Sequence, residues 1–434
     1  MRGRRLISTI ALLGLLAPAG PVPAQTPESL PSLSVDELIV RALADNPELR
    51  AARAEIDAAM GRLRQAGLRP NPMLELGGQK ALSPDNNLTI GLTVPLDLNG
   101  RKEGRIGVAE RELQLKRAQV RDRERRLAAD VRMKASEVMA ARRNLGVTDD
   151  LLRVNRDALR LIQDRVRQGA APALDENLML VEVSRLEASR QMLASRLEIA
   201  TLQLKALVGV AAETLLSVRG ELAPPAPPME AAEALRQALA TRPDLEAARA
   251  EVSMGVAKIR KEQADGRWDA SVNVGYQRQD VGFDLNGLTA SGATRPIQDV
   301  FHYFGAGVSI TLPVRNRNQG NIAAAEAEAK AAGRRLEFAE LIIRQEVGAA
   351  FAQYEAARRA LEIYERGVRD IAAKNLSVVR QTYQLGRGTL LDVVAEQRRY
   401  IEVENGYTDT LKQVYDASVD IARVTGVTEP EAVR

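Results

Sequence analysis

The sequence predicts a mainly α protein with a small membrane β component: long coiled-coil helices carrying two amphipathic β-hairpins, built as an internal tandem repeat. Three observations lead there. Apolar residues recur every seven positions along proline-free stretches, short runs alternate with period two, and one block of sequence occurs twice.

The helices come first because they occupy most of the chain. Pro95 to Pro172 encloses 76 residues without proline, and Pro313 to Pro430 encloses 116, so very long helices are permitted. In the first stretch Ile106, Leu113, Val120 and Leu127 recur every seven, and Leu145, Leu152, Leu159 and Val166 resume after 18. A heptad with a four-residue stutter is a coiled-coil signature. Short turns at Gly169 to Pro172 and Gly386 to Gly388 reverse the chain, and the pattern returns at Met179, Leu186, Leu193, Ala200 and Leu207, and at Val393, Tyr400, Tyr407, Val414 and Ile421. A helix from about Gly100 to Gln168 extends about 100 Å at ~1.5 Å per residue, and helices near Val35 to Gly67 and Asp175 to Val208 reach about half that. Two short helices end to end therefore match one long strut.

The repeat sets the domain organisation. Ala42 to Glu55 recurs as Ala238 to Glu251, with ten of fourteen positions identical. Gly104 to Glu110 matches Gly320 to Glu326, and Gly169 and Leu174-Asp175 match Gly386 and Leu391-Asp392. Self-similarity at a fixed period marks a duplication. The expected units are residues 25–222 with a hairpin at 72–96, a Pro-rich linker at 223–229, and residues 230–434 with a hairpin at 268–313. The second unit carries an insertion at Asp280 to Val300, whose Gly, Asn, Asp and Thr content predicts a surface loop.

Alternation identifies the strands. Leu88, Ile90, Leu92 and Val94 alternate with polar or small residues, as do Val308, Ile310 and Leu312, the pattern of a strand with one face in lipid. Their hairpin partners are Met73 to Lys80 and Trp268 to Gln277, where Ala270, Val272, Val274 and Tyr276 share a face. Runs of about 8 to 11 residues cross a bilayer when tilted. Four strands cannot close a barrel, and open edges are not tolerated in lipid. The chain must therefore oligomerise; three copies supply twelve strands.

Composition removes other classes. Residues 1–24 carry Arg2, Arg4 and Arg5, an apolar run from Leu6 to Ala17 and small residues at Val22-Pro23-Ala24, the anatomy of a secretory signal peptide. No later run is long enough for a transmembrane helix. There is no Cys, so disulfides, thiolate metal sites and a lipidated N-terminal Cys are excluded. Without the signal the formal charge falls from +4 to +1, which removes support for a nucleic-acid partner. The lone His302, expected in or beside a strand near a loop, has no companions that would make it a metal ligand. No phosphate-binding loop and no nucleophile with a His partner can be assembled, so neither an enzyme nor a cofactor is predicted. A periplasmic adaptor and a structural envelope filament remain as other classes; neither needs two helix-and-hairpin units with strands of membrane length.

These residues resemble the TolC outer-membrane efflux family over nearly the whole mature chain. Leu43-Ala44-Asp45-Asn46-Pro47, its copy near Pro243, and Gly386 followed by Leu391-Asp392-Val393-Val394 are similar to recurrent signatures of that family. Leu312 to Ile322 resembles the segment typical of its heavy-metal branch, whose channels serve proton-driven pumps of the resistance-nodulation-division (RND) type. The resemblance implies a homotrimer, with a 12-stranded β-barrel in outer-membrane lipid, an α-helical barrel through the periplasm and a mixed belt at mid-height. It also implies a periplasmic adaptor (membrane fusion) protein and an inner-membrane RND transporter as partners. Heavy-metal cations are the implied cargo, with multidrug efflux or type I protein secretion as alternatives. In the family, acids after each tight turn, with a Tyr and an Arg, hold the periplasmic constriction. Asp175 and Asp392 match the acids and Tyr383 the Tyr; the Arg position falls on Gly388, with Arg387 the substitute. A further acid falls on Ala395, beside Glu396. N-capping of the returning helices is the alternative role for Asp175 and Asp392, and acids at a pore tip also favour cations.

Overall fold

The structure, a computed structural model, describes residues 32–82, 85–224 and 229–426. The signal peptide and most of the Pro-rich linker lie outside the described residues. The elements run α1 (Val35–Asp45), α2 (Pro47–Ala66), β1 (Met73–Lys80), β2 (Asn86–Pro95), α3 (Arg101–Arg167) and α4 (Ala173–Val208). They continue with α5 (Ala231–Thr241), α6 (Pro243–Asp265), β3 (Asp269–Leu288), β4 (Thr294–Thr311), α7 (Gln319–Ile363), α8 (Arg369–Gln384) and α9 (Leu390–Thr425).

The 67-residue α3 is the unbroken strut, about 100 Å long at ~1.5 Å per residue. The helix expected from Val35 to Gly67 is instead two, parted at Asn46. Pro47 has no N–H to continue the ladder, and its ring pushes Asn46 out of the α region, to φ −58° and ψ 121°. Arg242 does the same before Pro243, at φ −63° and ψ 127°. The second long rod is also interrupted. Between α7 and α8 a π-bulge at Tyr364–Val368 places Gly367 at φ 131°, a conformation open to glycine but not to residues with a Cβ.

The helices pack through apolar stripes into two main cores. At mid-height Leu38, Ile39, Val131, Leu204, Ile343 and Ile421 are buried together. There Leu33 and Val218 form a parallel bridge, with Leu33 N–H donating to Ser217 O at 2.9 Å and Arg219 N–H to Leu33 O at 2.7 Å. Further along, toward the turns, Leu152, Ile162, Met179, Leu186, Leu376 and Val393 form the second core. Glycines permit close helix approach at α3–α6 and α6–α7. A Cβ at Gly104 would lie 2.9 Å from Lys261 Cα, and one at Gly255 3.0 Å from Ala329 Cα.

The sheet is antiparallel in the order β1-β2-β3-β4. Leu92 stands opposite Leu74 and Val274, Ile90 opposite Leu76 and Tyr276, and Val272 opposite Val308, so one apolar face runs across all four strands. It is bare within the chain: Leu76 is 71% exposed and Phe304 83%. The expected loop at Asp280 to Val300 is corrected. β3 and β4 contain 20 and 18 residues, well beyond the 8 to 11 anticipated, and only Thr289 to Ala293 connects them. Gly and Asn lower β propensity, but an antiparallel partner along most of the hairpin, broken only between Phe283 and Asn286, supplies ladder bonds that outweigh it. His302 accordingly lies within β4, opposite Arg278, and not beside a loop.

Candidate functional site

Two regions of the molecule gather polar groups: the second face of the sheet and the two helical turns at the far end of the rods. On the sheet, residues alternate strictly, so Thr89, Thr93, Ser271, Asn273, Gln277 and Ser309 share the face opposite the apolar band. Asn273 Nδ2 donates to Ser309 Oγ at 2.6 Å across β3 and β4.

The sheet joins the helices through ion pairs and tight turns. Arg105 grips Asp97 with two hydrogen bonds of 2.7 and 3.0 Å; that bonding, together with the guanidinium charge, holds the Asp97 carboxyl below its ordinary range despite partial burial. Leu312 to Ile322 forms the second junction. Asn318, at φ 61°, donates its backbone N–H to Asn316 Oδ1 at 3.0 Å and its Nδ2 to Glu262 O at 2.9 Å. A Cβ on Gly266 would meet Arg317 O at 2.4 Å. The asparagine-rich segment is thus a turn that seats α7 on the end of α6.

Both far turns use the same device. Gly169 and Gly386 each have φ 72°. Ala170 N–H donates to Arg165 O at 2.8 Å and Gly169 N–H to Val166 O at 2.9 Å; Arg387 N–H donates to Thr382 O at 3.0 Å and Gly386 N–H to Tyr383 O at 2.9 Å. This paired pattern is a Schellman motif, which needs a left-handed residue after the helix and selects glycine.

The expected tip residues are only partly brought together. Tyr383 Oη donates to Asp175 Oδ2 at 3.4 Å, linking α8 to α4. Burial, and then the Asp175 charge, push the Tyr383 phenol above its ordinary value. Asp392 is apart from them: its Oδ2 accepts from Thr389 N–H at 3.0 Å and Thr389 Oγ1 at 2.6 Å. Those bonds lower its pKa, the Thr389 side chain contributing most. The capping role therefore needs correction. Thr389 is the N-cap of α9 and Asp392 the third-position partner of a capping box, while α4 has Pro172 at its N-cap and no side-chain cap from Asp175. Arg387 is exposed and forms no ion pair with either acid among the described residues. Glu396 is buried against Arg399 at 3.2 Å, and Ala395 beside it is exposed.

Sequence reasoning missed the polar groups inside the helix seams. Asn155 and Gln397 exchange amide hydrogen bonds of 3.1 and 2.9 Å between α3 and α9. Glu182, 1% exposed, accepts from Arg185 at 2.6 Å and Arg398 at 3.1 Å. Glu404 accepts from Arg369 at 3.0 Å and Arg143 at 3.4 Å, with both guanidiniums over the Tyr407 ring. The signal was available. Each sits three or four residues from a heptad residue, between Leu152 and Leu159, Met179 and Leu186, Val393 and Tyr400, or Tyr400 and Tyr407, and a polar residue at such a position fixes helix register.

A family model described as outer membrane efflux protein matches residues 38–210 and 234–427. The chain is 25% identical over 405 residues to the cobalt-zinc-cadmium resistance protein CzcC of Cupriavidus metallidurans, covering 93% of each. Among solved structures, a membrane protein from Pseudomonas aeruginosa aligns with TM-score 0.73 at 22% identity, covering 94% of this chain and 98% of that one. A CusC structure gives 0.72 at 17% identity, over 94% and 99%. The open-state MtrE outer membrane channel of Neisseria gonorrhoeae gives 0.70 at 19%, over 93% and 94%. These likenesses establish a shared fold.

Proposed function

The chain belongs to the outer membrane efflux protein family, and from that premise we propose that it is the exit duct of a tripartite heavy-metal efflux system. It is an outer-membrane channel subunit extending into the periplasm, and not an enzyme. In the proposed assembly three copies close a twelve-stranded barrel. A periplasmic adaptor and an inner-membrane RND pump deliver the cations, and the duct conducts them passively. Likeness to a cobalt-zinc-cadmium resistance protein along 93% of both chains is the observation that carries the metal reading. The unclosed sheet supports oligomerisation, because a lipid-exposed strand edge leaves backbone groups unpaired.

Deleting the gene is expected to sensitise cells to zinc, cobalt or cadmium more than to drugs, measured as growth inhibition in a strain with the cognate pump expressed and no redundant channel. Unchanged metal tolerance with new drug sensitivity would move the assignment to multidrug efflux; a defect confined to an exported protein would move it to type I secretion.

In this reading Asp175, Tyr383, Arg387 and Asp392 gather at the periplasmic constriction, with contacts between protomers adding to the Tyr383–Asp175 link. Asp392→Ala is expected to raise single-channel conductance in a planar bilayer. Unaltered conductance with a lowered melting temperature would leave Asp392 its capping role alone.

A further inference from the structure

One row of the sheet stands out on the face opposite the apolar band, the face that lines the lumen in the proposed trimer. Glu75 on β1 is opposite Gly91 on β2, Gly91 is opposite Gly275 on β3, and Gly275 is opposite Gly305 on β4. The next row toward the hairpin tip carries Thr89, Gln277 and Tyr303, and the next toward the helices carries Met73, Thr93 and Asn273. A single carboxylate and three glycines therefore span all four strands at one height.

Glycine weakens a strand, since it costs chain entropy and brings no side chain to pack, and local geometry does not ask for these three. None has a positive φ, and the pairing register is continuous through the row. A Cβ on Gly91 or Gly275 would find its nearest neighbour at 3.6 Å, an ordinary contact, and one on Gly305 would meet nothing within 4 Å. What the glycines leave is a concavity of 540 Å³ in the wall, with Thr89, Asn273, Gln277 and Tyr303 around it. Glu75 lies across one side, its Oε2 3.7 Å from where a Cβ on Gly91 would stand.

Among the described residues of this face, Glu75 is the only Asp, Glu, Lys or Arg between Asp269, paired with Arg101 at 3.2 Å at the helix end, and Asp299 beyond the four-stranded region. No ion pair ties it to a described residue, so its charge has no structural partner within the chain. Twelve strands spaced ~4.8 Å apart and tilted about 40° close at a backbone radius of about 12 Å. A glutamate reaching inward from that wall brings its carboxylate within about one screening length of the axis, ~10 Å at 0.1 M salt. Rings of carboxylates favour cations in pores. We propose that Glu75 sets the cation preference of the barrel: three carboxylates at one height, one from each copy, draw hydrated cations through a belt that glycine keeps clear of other side chains. The ring exists only in the trimeric-channel reading, on which it rests, and it stands in series with the acids at the helical turns.

For the full-length protein in planar bilayers under a potassium chloride gradient, the reversal potential gives the cation-to-anion permeability ratio. Glu75→Gln is expected to lower that ratio several-fold and Glu75→Lys to lower it further, with the heat-sensitive trimer intact on unheated gels. The gap between parent and Glu75→Gln should shrink at about 1 M salt, where the screening length is ~3 Å. E75Q/G305E moves the carboxylate along the same row to a position with room for a side chain, and is expected to recover the cation preference. An unchanged ratio in both Glu75 variants, with the trimer intact, would overturn the role of Glu75 and leave the channel standing. A lowered ratio that E75Q/G305E does not recover would assign the effect to packing of β1 and also reject the proposal. Failure of the unsubstituted protein to form a trimer would overturn both readings.

Discussion

Leu92→Arg is expected to abolish the assembled channel. Leu92 lies near the centre of the outward band, between Leu74 on β1 and Val274 on β3, and it is exposed within the chain. In the assembled protein that exposure is to lipid. An arginine facing lipid near the midplane of a barrel costs about 2–4 kcal/mol, and a symmetric trimer bears that cost three times. The measurement is the heat-sensitive oligomer on gels together with the outer-membrane fraction, both of which should be lost. Thr93→Arg, one residue along on the opposite face, is the matched control: its side chain enters the aqueous lumen, so assembly is retained and ion selectivity shifts. Normal assembly of Leu92→Arg, or failure of both variants alike, would contradict the assignment of the two faces.

Arg242→Ala is expected to be the most destabilising single change in the helical region. The Arg242 side chain is 2% exposed. It donates to Asp244 at 2.6 and 3.0 Å, to Glu346 on α7 at 2.7 Å and to Val424 O near the end of α9 at 3.3 Å. One guanidinium therefore joins the α5–α6 break to two other helices. Removing one member of a fully buried charge cluster costs about 3–5 kcal/mol, whereas replacing the whole cluster with apolar residues is often neutral; here Asp244 and Glu346 are partly exposed and Asp244 keeps Arg125 at 3.9 Å, which places the loss toward or below the low end of that range. Thermal unfolding of Arg242→Ala should shift strongly downward, and R242M/D244L/E346L should recover much of the loss. A melting temperature equal to that of the parent would show that the cluster is held by its surroundings alone.

The same cluster gives a pH dependence. Burial alone would raise the Asp244 pKa, but the hydrogen bonds and charge of Arg242, with Arg125 adding to them, overcome it and leave the carboxyl below its ordinary value. A depressed carboxylate pKa contributes stability that is complete above the unfolded-state value, about 3.9 for Asp, and is lost as pH falls through the folded value. Stability should therefore decline on acidification below about pH 4, and Asp244→Asn should flatten that limb. An unchanged acid limb in Asp244→Asn would assign the decline to other carboxylates.

Asn46 and Arg242 show how far sequence reading carries. They stand at matching positions before Pro47 and Pro243, and both proline breaks could have been anticipated from the restriction a proline places on its predecessor. Their side chains then diverge. Asn46 Oδ1 accepts from Leu49 N–H at 2.9 Å, capping α2. Arg242 cannot accept, so Asp244 takes the Leu245 N–H at 2.9 Å and Arg242 turns to α7 and α9. That outcome depends on residues 104 and 182 positions away, which no local pattern contains. The periplasmic tips divide in the same way. The glycine turns were legible from spacing, whereas the Tyr383–Asp175 contact and the withdrawal of Asp392 into the Thr389 capping box required helices from both halves to be placed.

The amino-acid sequence by itself determined the long heptad rods, the tight turns, the two-faced strands and the need for partner copies, because each follows from periodicity or from a count of strands. The tertiary structure alone decided the polar pairs inside the seams, the π-bulge at Gly367, and the conversion of Asp280 to Val300 from an expected loop into paired strand. Those features depend on what packs across from a residue, and a backbone hydrogen bond or a buried charge is stabilised by its partner whatever its own local propensity favours.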